Sequence, residues 1–565
     1  MVNRACGVHD YPGAPASRRT VLACLDDQVR VRGDDPYLTA SAGEGGETAT
    51  LSFRRLDALS RGLAHWLRHE PRTRTGEVVG LIPKNDAASV VALFGALRAG
   101  CAILFLSPHE PEARLRAQAG TLGVRTVLRP PSVPAGVYPD AIPVPDLLRT
   151  VDHPPDDTRI RLAGPDGSDG SDGSDGSDGP DGPDGPDAGL RGSADGEAGP
   201  SGADDAFFFG TSGSTAASKL VAQSHLNAVT NAEAVVRHHG LRPGHRILGC
   251  LPVHHVNGVH FTLLATLVAG AHALLAPGFD PFSYPRLLTE FRPRVASVVP
   301  SILEALTRTW RRPSPPASFA YFLSAAAPLS ADTARAVAGK LNTRIVQGYG
   351  LSETTNFSTT MPPDLPEEQH HRFTTGADIP SVGVALPGNE VAVLDERGRR
   401  VPEGVRGEIC MRGRTVMTRY AGNPAATAEA FAGGWFHSQD LGFEIRDEAG
   451  RVFFVITGRT KNIAKVGGES VSLDEMERVL RAVPGVQDAA CVAVPHRLLG
   501  EEIIAAVVYA PGAPEADPRP YLLAVFAPAA LPSRFVRLAA IPRTPTGKIR
   551  RPDLAERLRT GDAGG

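Results

Sequence analysis

The stretch that decides the fold runs from Phe207 to His225 and reads FFFGTSGSTAASKLVAQSH. Its apolar start, from Ala206 to Phe209, predicts a strand that leads into a loop of small and hydroxylated residues. Such a loop can offer backbone N–H groups, hydroxyls and an ammonium to a polyphosphate. The side chains concerned are Thr211, Ser212, Ser214, Thr215 and Lys219. Leu220 follows the lysine, so this is not a Walker loop, and because such clusters are also common surface turns, the rest of the chain must decide.

Length and composition indicate a soluble globular protein of several compact units. The chain has 565 residues, 42% hydrophobic and 21% charged, which is too long for one core. A net charge of −3 gives no argument for binding nucleic acid or an anionic membrane through bulk charge. The six cysteines are scattered singly, which excludes a CxxC-type zinc site and predicts a reducing, cytoplasmic environment. The longest apolar stretch, from Phe261 to Pro277, predicts a buried helix and a strand rather than a membrane span.

Helical and strand-like segments alternate on both sides of residue 200. The first part predicts a helix from Leu51 to Glu70, a strand from Val78 to Ile82, a helix from Ala87 to Gly100 and a strand from Cys101 to Leu106. Between 221 and 365 the candidate strands are 246–250, 273–276, 295–299, 321–324 and 344–347. This alternation predicts doubly wound α/β subdomains with largely parallel sheets, whose carboxyl ends form a ligand crevice.

Three further segments differ in composition. Residues 163–203 contain a run in which glycine recurs every third residue beside aspartate. Because this run has no apolar partner and its carboxylates repel one another, it predicts a disordered acidic linker. Residues 375–457 predict a small β-rich subdomain with glycine turns, and residues 458–565 a compact α+β domain. The predicted organisation is therefore an N-terminal domain over 1–457, with two α/β subdomains and a β-rich part, and a C-terminal domain over 458–565.

Six more motifs follow along the chain. They are LPVHHVNG (251–258), SAAAPLS (324–330), VQGYGLSETT (346–355), GWFHSQDLG (434–442), ITGRTKNIAKVGGESVSLDEMERVL (456–480) and PRTPTGKIRR (542–551). Together with the opening loop, and in this order, they resemble the adenylate-forming superfamily. That superfamily includes acyl- and aryl-CoA synthetases, firefly-type luciferases and the adenylation domains of peptide synthetases. The resemblance covers residue 50 to the end, except for the acidic linker.

The chemistry of such enzymes explains these residue types. A carboxylate attacks the α-phosphate of ATP, so the site must neutralise a polyphosphate and hold the acid in line. The resemblance implies an ATP site made of Thr211, Ser212, Gly213, Ser214, Thr215 and Lys219 at the β/γ-phosphates, Tyr349 on adenine, Ser352 at the α-phosphate, Asp440 and Arg459 at the ribose, and Ala327, Gly348 and Gly350. It further implies that Glu353 binds Mg²⁺ and that Lys548 bridges carboxylate and nucleotide.

The resemblance also implies a mobile C-terminal domain. Lys461 falls at the hinge about which that domain swings between an adenylating and a thioester-forming pose. The swing would remove Lys548 from the site and bring Gly467, Gly468 and Glu469 to the tunnel where a pantetheine thiol enters. Glycine suits that position because the backbone must approach a ligand closely.

Two short segments depart from the family's pattern. The family's loop usually ends Gly-x-Pro-Lys, whereas Ala216 and Ser218 occupy the glycine and proline positions here. The family's Thr-Gly-Asp is Ser438, Gln439 and Asp440, which places a bulky amide beside the ribose. Neither change removes a charge that the chemistry needs, so we expect activity.

The acyl pocket implied by the resemblance includes the catalytic His255 with His254, Asn257 and Ala325. Peptide-synthetase domains commonly hold the amino group of their substrate with an aspartate near the position of the predicted turn at 254–257. No aspartate occurs there, which argues against an α-amino acid as the substrate. The mixed polarity favours an aryl, enoyl or short functionalised acid.

The acceptor of the acyl group is less specified than the acid. CoA is the expected acceptor, because it is the commonest for free-standing chains of this pattern. A carrier-protein thiol or an amine would use the same first half-reaction. A non-catalytic nucleotide-binding scaffold is the alternative from another class, favoured by the altered loop and disfavoured by Glu353, Asp440 and Lys548.

Overall fold

The computed structural model describes residues 19–41, 48–69, 73–145, 201–211, 219–311, 314–466, 469–544 and 547–560. In chain order, the strands along these residues are β1 (Pro36–Ser41), β2 (Thr48–Ser52), β3 (Val78–Leu81), β4 (Ala102–Phe105), β5 (Val127–Arg129), β6 (Ile142–Pro143), β7 (Asp205–Gly210), β8 (Leu220–Ser224), β9 (Arg246–Gly249), β10 (His272–Leu275), β11 (Val295–Val298), β12 (Tyr321–Ser324), β13 (Arg344–Tyr349), β14 (Thr359–Thr360), β15 (Val384–Ala385), β16 (Asn389–Leu394), β17 (Gly407–Gly413), β18 (Arg419–Ala421), β19 (Phe436–Arg446), β20 (Val452–Arg459), β21 (Ile463–Val466), β22 (Glu469–Ser472), β23 (Val486–His496), β24 (Gly500–Tyr509) and β25 (Arg534–Arg537).

The helices along the same residues are α1 (Val21–Arg32), α2 (Phe53–His69), α3 (Ala87–Arg98), α4 (Glu112–Thr121), α5 (His225–His239), α6 (Thr266–Ala269), α7 (Tyr284–Phe291), α8 (Pro300–Thr309), α9 (Ala331–Leu341), α10 (Glu367–Phe373), α11 (Pro424–Ala430), α12 (Leu473–Arg481), α13 (Arg519–Leu523) and α14 (Arg551–Thr560). A π-helical segment, Asn257–Ala265, leads into α6. None of these helices combines the length and the apolar character needed to cross a membrane.

Several predicted features lie outside the described residues. They are Ser212, Gly213, Ser214 and Thr215, the departures Ala216 and Ser218, Gly467 and Gly468, and linker residues 163–200. The last linker residues, 201–203, were also expected to be disordered, but they form a turn. There Asp204 accepts a 2.7 Å hydrogen bond from the Ser201 N–H, and the Gly202 carbonyl accepts one of 2.7 Å from Leu226.

Most predicted elements are confirmed, with boundaries that shift by a few residues. The helix predicted from Leu51 begins at Phe53, because the residues before it pair with β1 as β2. The apolar stretch after Phe261 forms helical turns followed by β10, as predicted. The β-rich part predicted over 375–457 contains the 11-residue strand β19.

The largest sheet among the described residues has the strand order β15-β14-β13-β12-β11-β9-β10-β1-β2. Six neighbouring strands of this sheet run parallel, namely β13, β12, β11, β9, β10 and β1. The strands at its edges, β14 and β15 on one side and β2 on the other, pair in antiparallel fashion. The predicted doubly wound, largely parallel architecture is therefore confirmed. The carboxyl ends of β12 and β13 lie side by side, with Ser324 opposite Gln347. The motifs SAAAPLS (324–330) and VQGYGLSETT (346–355) therefore continue from the same edge of the sheet.

A second sheet has the order β18-β8-β7-β4-β3-β5-β6. The strands at the two ends of the stretch from Phe207 to His225 lie inside this sheet, because β7 pairs with β4 and β8, and β8 pairs with β7 and β18. Phe209 of β7 stacks on Phe105 of β4 with ring centroids 4.7 Å apart. Both rings are buried, and burial of such a side chain contributes about 1.5–3 kcal/mol. The core thus fixes both strands that carry the ends of the loop.

Two antiparallel sheets complete the described structure. The first has the order β16-β17-β19-β20, and the second contains β22-β21-β24-β23 with β25 beside β24. The long hairpin of β19 and β20 places Asp440 directly opposite Arg459. Asp440 thus lies within a strand rather than in a turn, and its position is set by the sheet.

Candidate active site

Tyr349, Asp440 and Arg459 form one hydrogen-bonded group. The Tyr349 hydroxyl donates to Asp440 Oδ2 over 2.7 Å, and the Arg459 guanidinium donates to both carboxylate oxygens of Asp440. Asp440 is buried, and its charge raises the pKa of Arg459. The pKa of Tyr349 is raised well above its usual value, first by burial and then by Asp440. A buried carboxylate is thereby held in one orientation by two donors.

The backbone before Asp440 takes an unusual conformation. Gln439 has a φ of 63°, in the left-handed region that favours glycine. Its N–H donates to Glu408 Oε1 over 2.8 Å, and its carbonyl accepts a 3.1 Å hydrogen bond from the Thr460 hydroxyl. The Asp440 N–H is bound by the Ser438 hydroxyl at 2.9 Å. These bonds to three side chains hold a left-handed residue inside β19, at the position where the resemblance predicts glycine.

Gly348 and Gly350 flank Tyr349 for steric reasons. A Cβ atom on Gly350 would lie 1.6 Å from the carbonyl oxygen of Asn356, and one on Gly348 would lie 2.8 Å from the ring of Phe357. Only glycine fits at Gly350 without displacing backbone. The same segment continues into a short turn at Ser352, whose carbonyl accepts a 2.8 Å hydrogen bond from the side-chain amide nitrogen Nε2 of Gln223.

Glu353 is linked to the loop after β7 through Tyr420. The Tyr420 hydroxyl donates to Glu353 Oε1 over 2.8 Å, and the Lys219 ammonium lies 4.7 Å from the centroid of the Tyr420 ring. At the base of the loop, the Thr211 N–H donates to the Lys219 carbonyl over 2.9 Å. The described ends of the loop are therefore joined, and its lysine and Glu353 face the same aromatic ring.

Lys548 of the C-terminal part lies in the same cleft. Burial and the charge of Arg459 lower its pKa, whereas Glu353 and Asp440 raise it. The residue is exposed to solvent, as expected for a group that lines an open cleft. The preceding Gly547 lies against Ala327, because a Cβ there would be 3.9 Å from the Ala327 Cβ.

Three imidazoles lie close together, and one of them, His255, is within electrostatic range of Lys548. The ring centroids of His254 and His255 are 4.4 Å apart, and those of His254 and His109 are 6.1 Å apart. Burial, then Lys548 and then His109 lower the pKa of His255 to about 4. The pKa of His254 is lowered well below its usual value, mainly by burial. Both rings are therefore neutral at pH 7.

The remaining predicted pocket residues are buried, and one of them is already bonded. Asn257 was expected on the turn with the histidines, but it begins the π-helical segment, and its Oδ1 accepts a 2.8 Å hydrogen bond from Ser297. Ala325 lies at the end of β12. His254 Nε2, in contrast, is buried without a partner among the described residues, which is uncommon for a polar atom.

The predicted hinge and tunnel residues lie apart from this cleft group. Lys461 is exposed in a short turn between β20 and β21, and Glu469 is the exposed first residue of β22. Asp474, at the start of α12, accepts a 2.9 Å hydrogen bond from the Arg459 N–H and another from the side chain of Asn462. One carboxylate thus binds residues on both sides of Lys461.

Sequence reasoning missed several residues of the site. Tyr420 belongs to β18, which reaches the loop only because it pairs with β8. Glu408 holds Gln439 across the sheet, and His109 follows β4, far from His254 in sequence. No motif or spacing marks these positions, since each depends on pairing between distant strands.

The chain belongs to the AMP-binding enzyme family, whose family model matches residues 25–421. The AMP-binding enzyme C-terminal domain matches residues 475–548. Both matches agree with the superfamily suggested by the ordered motifs. The second match includes Lys548, and the first includes Tyr349 and Glu353.

Among curated proteins, the chain is 32% identical over 344 residues to a sulfoacetate–CoA ligase of Cupriavidus necator, covering 60% of this chain and 65% of that protein. It is 36% identical over 220 residues to a fatty acid–[acyl-carrier-protein] ligase, ScoC, of Streptomyces coeruleorubidus, covering 39% and 40%. The chain thus spans less than two thirds of the length of these relatives. The ATP-bound MatB structure from Rhodopseudomonas palustris has a TM-score of 0.75 at 24% identity, covering 96% of this chain and 99% of that one, which establishes the fold.

Proposed function

We propose that this protein is an AMP-forming acid–thiol ligase that activates a carboxylic acid with ATP and transfers the acyl group to a thiol, with CoA as the acceptor. The observation that carries the proposal is that Lys548 lies near enough to Arg459, Glu353 and Asp440 for their charges to shift its pKa. Two cations from residues 458–565 and two carboxylates from residues 1–457 thus act on one another. This arrangement suits a reaction between two anions.

In the first step, a carboxylate oxygen of the acid bonds to the α-phosphorus of ATP. The bond from that phosphorus to the bridging oxygen of the β-phosphate breaks, and pyrophosphate leaves. Asp440, fixed by Tyr349 and Arg459, would hold the ribose hydroxyls as their acceptor. Lys548 would lie between the carboxylate and the α-phosphate and stabilise the charge that develops there.

In the second step, the thiol gives up its proton to solvent, its sulfur bonds to the acyl carbon, and AMP leaves with the electron pair of the C–O bond. We place Lys461 at the hinge of the domain movement that separates the two steps, and Glu469 beside the entering thiol. Neutral His255 lies beside Lys548, where it can orient the reacting carboxylate without adding a charge.

Glu353 is the residue that we expect to hold Mg²⁺. Its carboxylate is a hard oxygen donor of the kind that this ion prefers, and Tyr420 fixes one of its oxygens. Magnesium would supply positive charge to the phosphates of ATP.

We propose a short functionalised acid as the substrate. The supporting observation is His254, a buried neutral imidazole whose Nε2 has no partner among the described residues. A second polar group on the acid would provide one. The similarity to a sulfoacetate–CoA ligase, whose named acid is short and carries a second anionic group, supports the same class.

A carrier-protein thiol is the second acceptor to consider, since the relative from Streptomyces coeruleorubidus is named a ligase for an acyl carrier protein. Acid-dependent exchange of pyrophosphate into ATP tests the first step, with a panel of short, aryl, enoyl and long-chain acids. Product formation with CoA, a phosphopantetheinylated carrier protein or an amine then identifies the acceptor. Binding of ATP without exchange for any acid would instead support a nucleotide-binding scaffold.

A further inference from the structure

A cluster of three metal-binding side chains lies on one face of the sheet β16-β17-β19-β20. Glu408 and Cys410 are two residues apart on β17, so both point to the same face. His437 of β19 is the cross-strand partner of Cys410. The Cys410 sulfur lies 3.6 Å from His437 Nδ1, and Glu408 Oε2 lies 2.7 Å from the same nitrogen. One ligand atom from each residue lies within 4.8 Å of the other two.

Both ring nitrogens of His437 face hydrogen-bond acceptors. Nε2 lies 3.0 Å from the carbonyl oxygen of Ala432 and Nδ1 lies 2.7 Å from Glu408 Oε2, so without a metal each nitrogen donates a hydrogen bond. A bound metal ion would replace the proton on Nδ1, whose lone pair would then face the ion between the thiol and the carboxylate. A backbone carbonyl that accepts from the distal nitrogen is the usual support for a metal-bound histidine.

We propose that Glu408 Oε2, Cys410 Sγ and His437 Nδ1 form a Zn²⁺ site, with water as the fourth ligand. Zinc bonds of about 2.3 Å to sulfur and about 2.05 Å to nitrogen, at a tetrahedral angle, place those two atoms about 3.6 Å apart. The observed separation is 3.6 Å. The mixture of thiolate, imidazole and carboxylate is one that zinc accepts.

Zinc binding needs only small changes in this cluster. The Cys410 thiol and His437 Nδ1 each give up a proton to solvent as they bond to the ion. The Glu408 oxygen withdraws by roughly 0.7 Å from Nδ1, to a tetrahedral O–N separation of about 3.4 Å. The side chains of Glu408 and His437 are 22% and 28% exposed, so water can reach the fourth position.

The surroundings suit a bound cation. Cys410 is buried in an apolar cluster with Ala392, Leu394 and Trp435, which strengthens electrostatic interactions. The guanidiniums of the same region, Arg400 and Arg412, are paired with Glu390 and lie over Trp435. Glu390 therefore offsets one of these two positive charges before an ion binds.

The proposed site is connected to the nucleotide side of the cleft through one carboxylate. Glu408 Oε1 accepts the Gln439 N–H, while Oε2 faces His437. A zinc ion on Oε2 would fix the side chain that holds the left-handed residue before Asp440. Zinc is thus expected to stabilise the backbone of β19 at Gln439 without contacting ATP.

The test uses the full-length protein after dialysis against a chelator, with ZnCl₂ and CoCl₂ as the probes. Zinc affinity and stoichiometry are measured by competition with a chromophoric chelator, and Co²⁺ by its absorption spectrum. Cys410→Ser and His437→Gln remove one ligand each. Cys101→Ser is the matched control, because this buried thiol donates to the Arg74 carbonyl instead.

We expect one zinc ion per chain, and a thiolate-to-cobalt charge-transfer band, in the wild type and in Cys101→Ser. Cys410→Ser should lose the band, and both ligand variants should bind zinc at least about 100-fold more weakly, the upper end of the loss caused by second-shell changes. Equal zinc affinity in wild type and Cys410→Ser, or a cobalt complex without the band, would overturn the proposal and leave a Glu408–His437 ion pair. If Cys410→Ser fails to fold, His437→Gln decides alone by its zinc affinity.

Discussion

The two ends of the cleft, which we propose bind the nucleotide and the acid, differ in how completely their polar groups are bonded. At the nucleotide end, the buried Asp440 already receives hydrogen bonds from Tyr349 and Arg459. At the acid end, His254 is equally buried, but its Nε2 has no partner among the described residues. The polar groups at the nucleotide end are therefore fixed by hydrogen bonds before any ligand binds. At the acid end, a polar nitrogen is left for a group of the ligand to bond. The first arrangement suits a substrate that never varies, and the second suits selection among acids.

Lys548 joins the two ends, so its removal should have the largest effect. We expect Lys548→Ala to slow pyrophosphate exchange by about 10³-fold, because a charge at the reacting centre is lost, while ATP still binds. Exchange kinetics and equilibrium ATP binding measure the two quantities separately. Lys340→Ala, on the surface of α9, is the control. Equal losses of binding and of exchange would show that Lys548 does not act selectively on the reaction.

Breaking the nucleotide end should have the next largest effect. In Asp440→Ala the hydroxyl of Tyr349 and the guanidinium of Arg459 lose their shared acceptor, and we expect the KM for ATP to rise about 100-fold. The KM for the acid should change little. Asp447→Asn is a matched control, since Asp447 pairs with Arg451 at the far end of the same hairpin. A comparable rise in the control would point to a general weakening of the hairpin.

A change at the acid end should have a smaller and selective effect. His254→Leu removes the unpartnered nitrogen, and we expect the KM of an acid with a second polar group to rise about tenfold. The KM for ATP should stay the same. An acid of similar size without that group serves as the internal comparison. If both acids lose affinity equally, the imidazole contributes shape and not a hydrogen bond.

The pH profile provides a test without mutation. Burial and Lys548 disfavour the protonated form of His255 and lower its pKa to about 4, so the ring stays neutral from pH 8 down to about pH 5. We expect kcat/KM for the acid to vary less than about twofold between pH 6 and 8 on account of this group. A decline centred near pH 6.5 that disappears in His255→Gln would contradict the assignment.

The smallest expected effect is at Gln439, whose φ of 63° is unfavourable for a residue with a Cβ. Gln439→Gly should raise the free energy of unfolding by up to about 1 kcal/mol, because relief of strain exceeds the added entropy of the unfolded chain. Chemical denaturation measures this change, and the KM for ATP should remain within a factor of two. A lower stability would mean that the glutamine side chain makes a compensating contact.

The sequence predicts the features of this molecule that depend on the pattern of neighbouring residues and on the order of the motifs along the chain. Repeated helix and strand periodicity is enough for the parallel sheets, and the motif order is enough for the family. The periodicity does not place Asp440 inside β19, because a strand with one buried face and several polar residues resembles a turn. Tyr420, Glu408 and His109 were missed because their roles arise from strand pairing across distant parts of the chain. Their contacts are tertiary, and no local propensity encodes them.

Asp474 has a consequence for the timing of the reaction. It binds the Arg459 N–H on one side of Lys461 and Asn462 on the other, and Arg551, three residues after Lys548, also donates to it. Rotation about Lys461 would break the bond to Arg459, and a hydrogen bond to a charged group contributes about 1.5–3 kcal/mol. The carboxylate would then act as a latch that lengthens the residence of Lys548 in the cleft. The strength of the hydrogen bond between Asp474 and Arg459 would then set the relative rates of adenylate formation and of acyl transfer to the thiol.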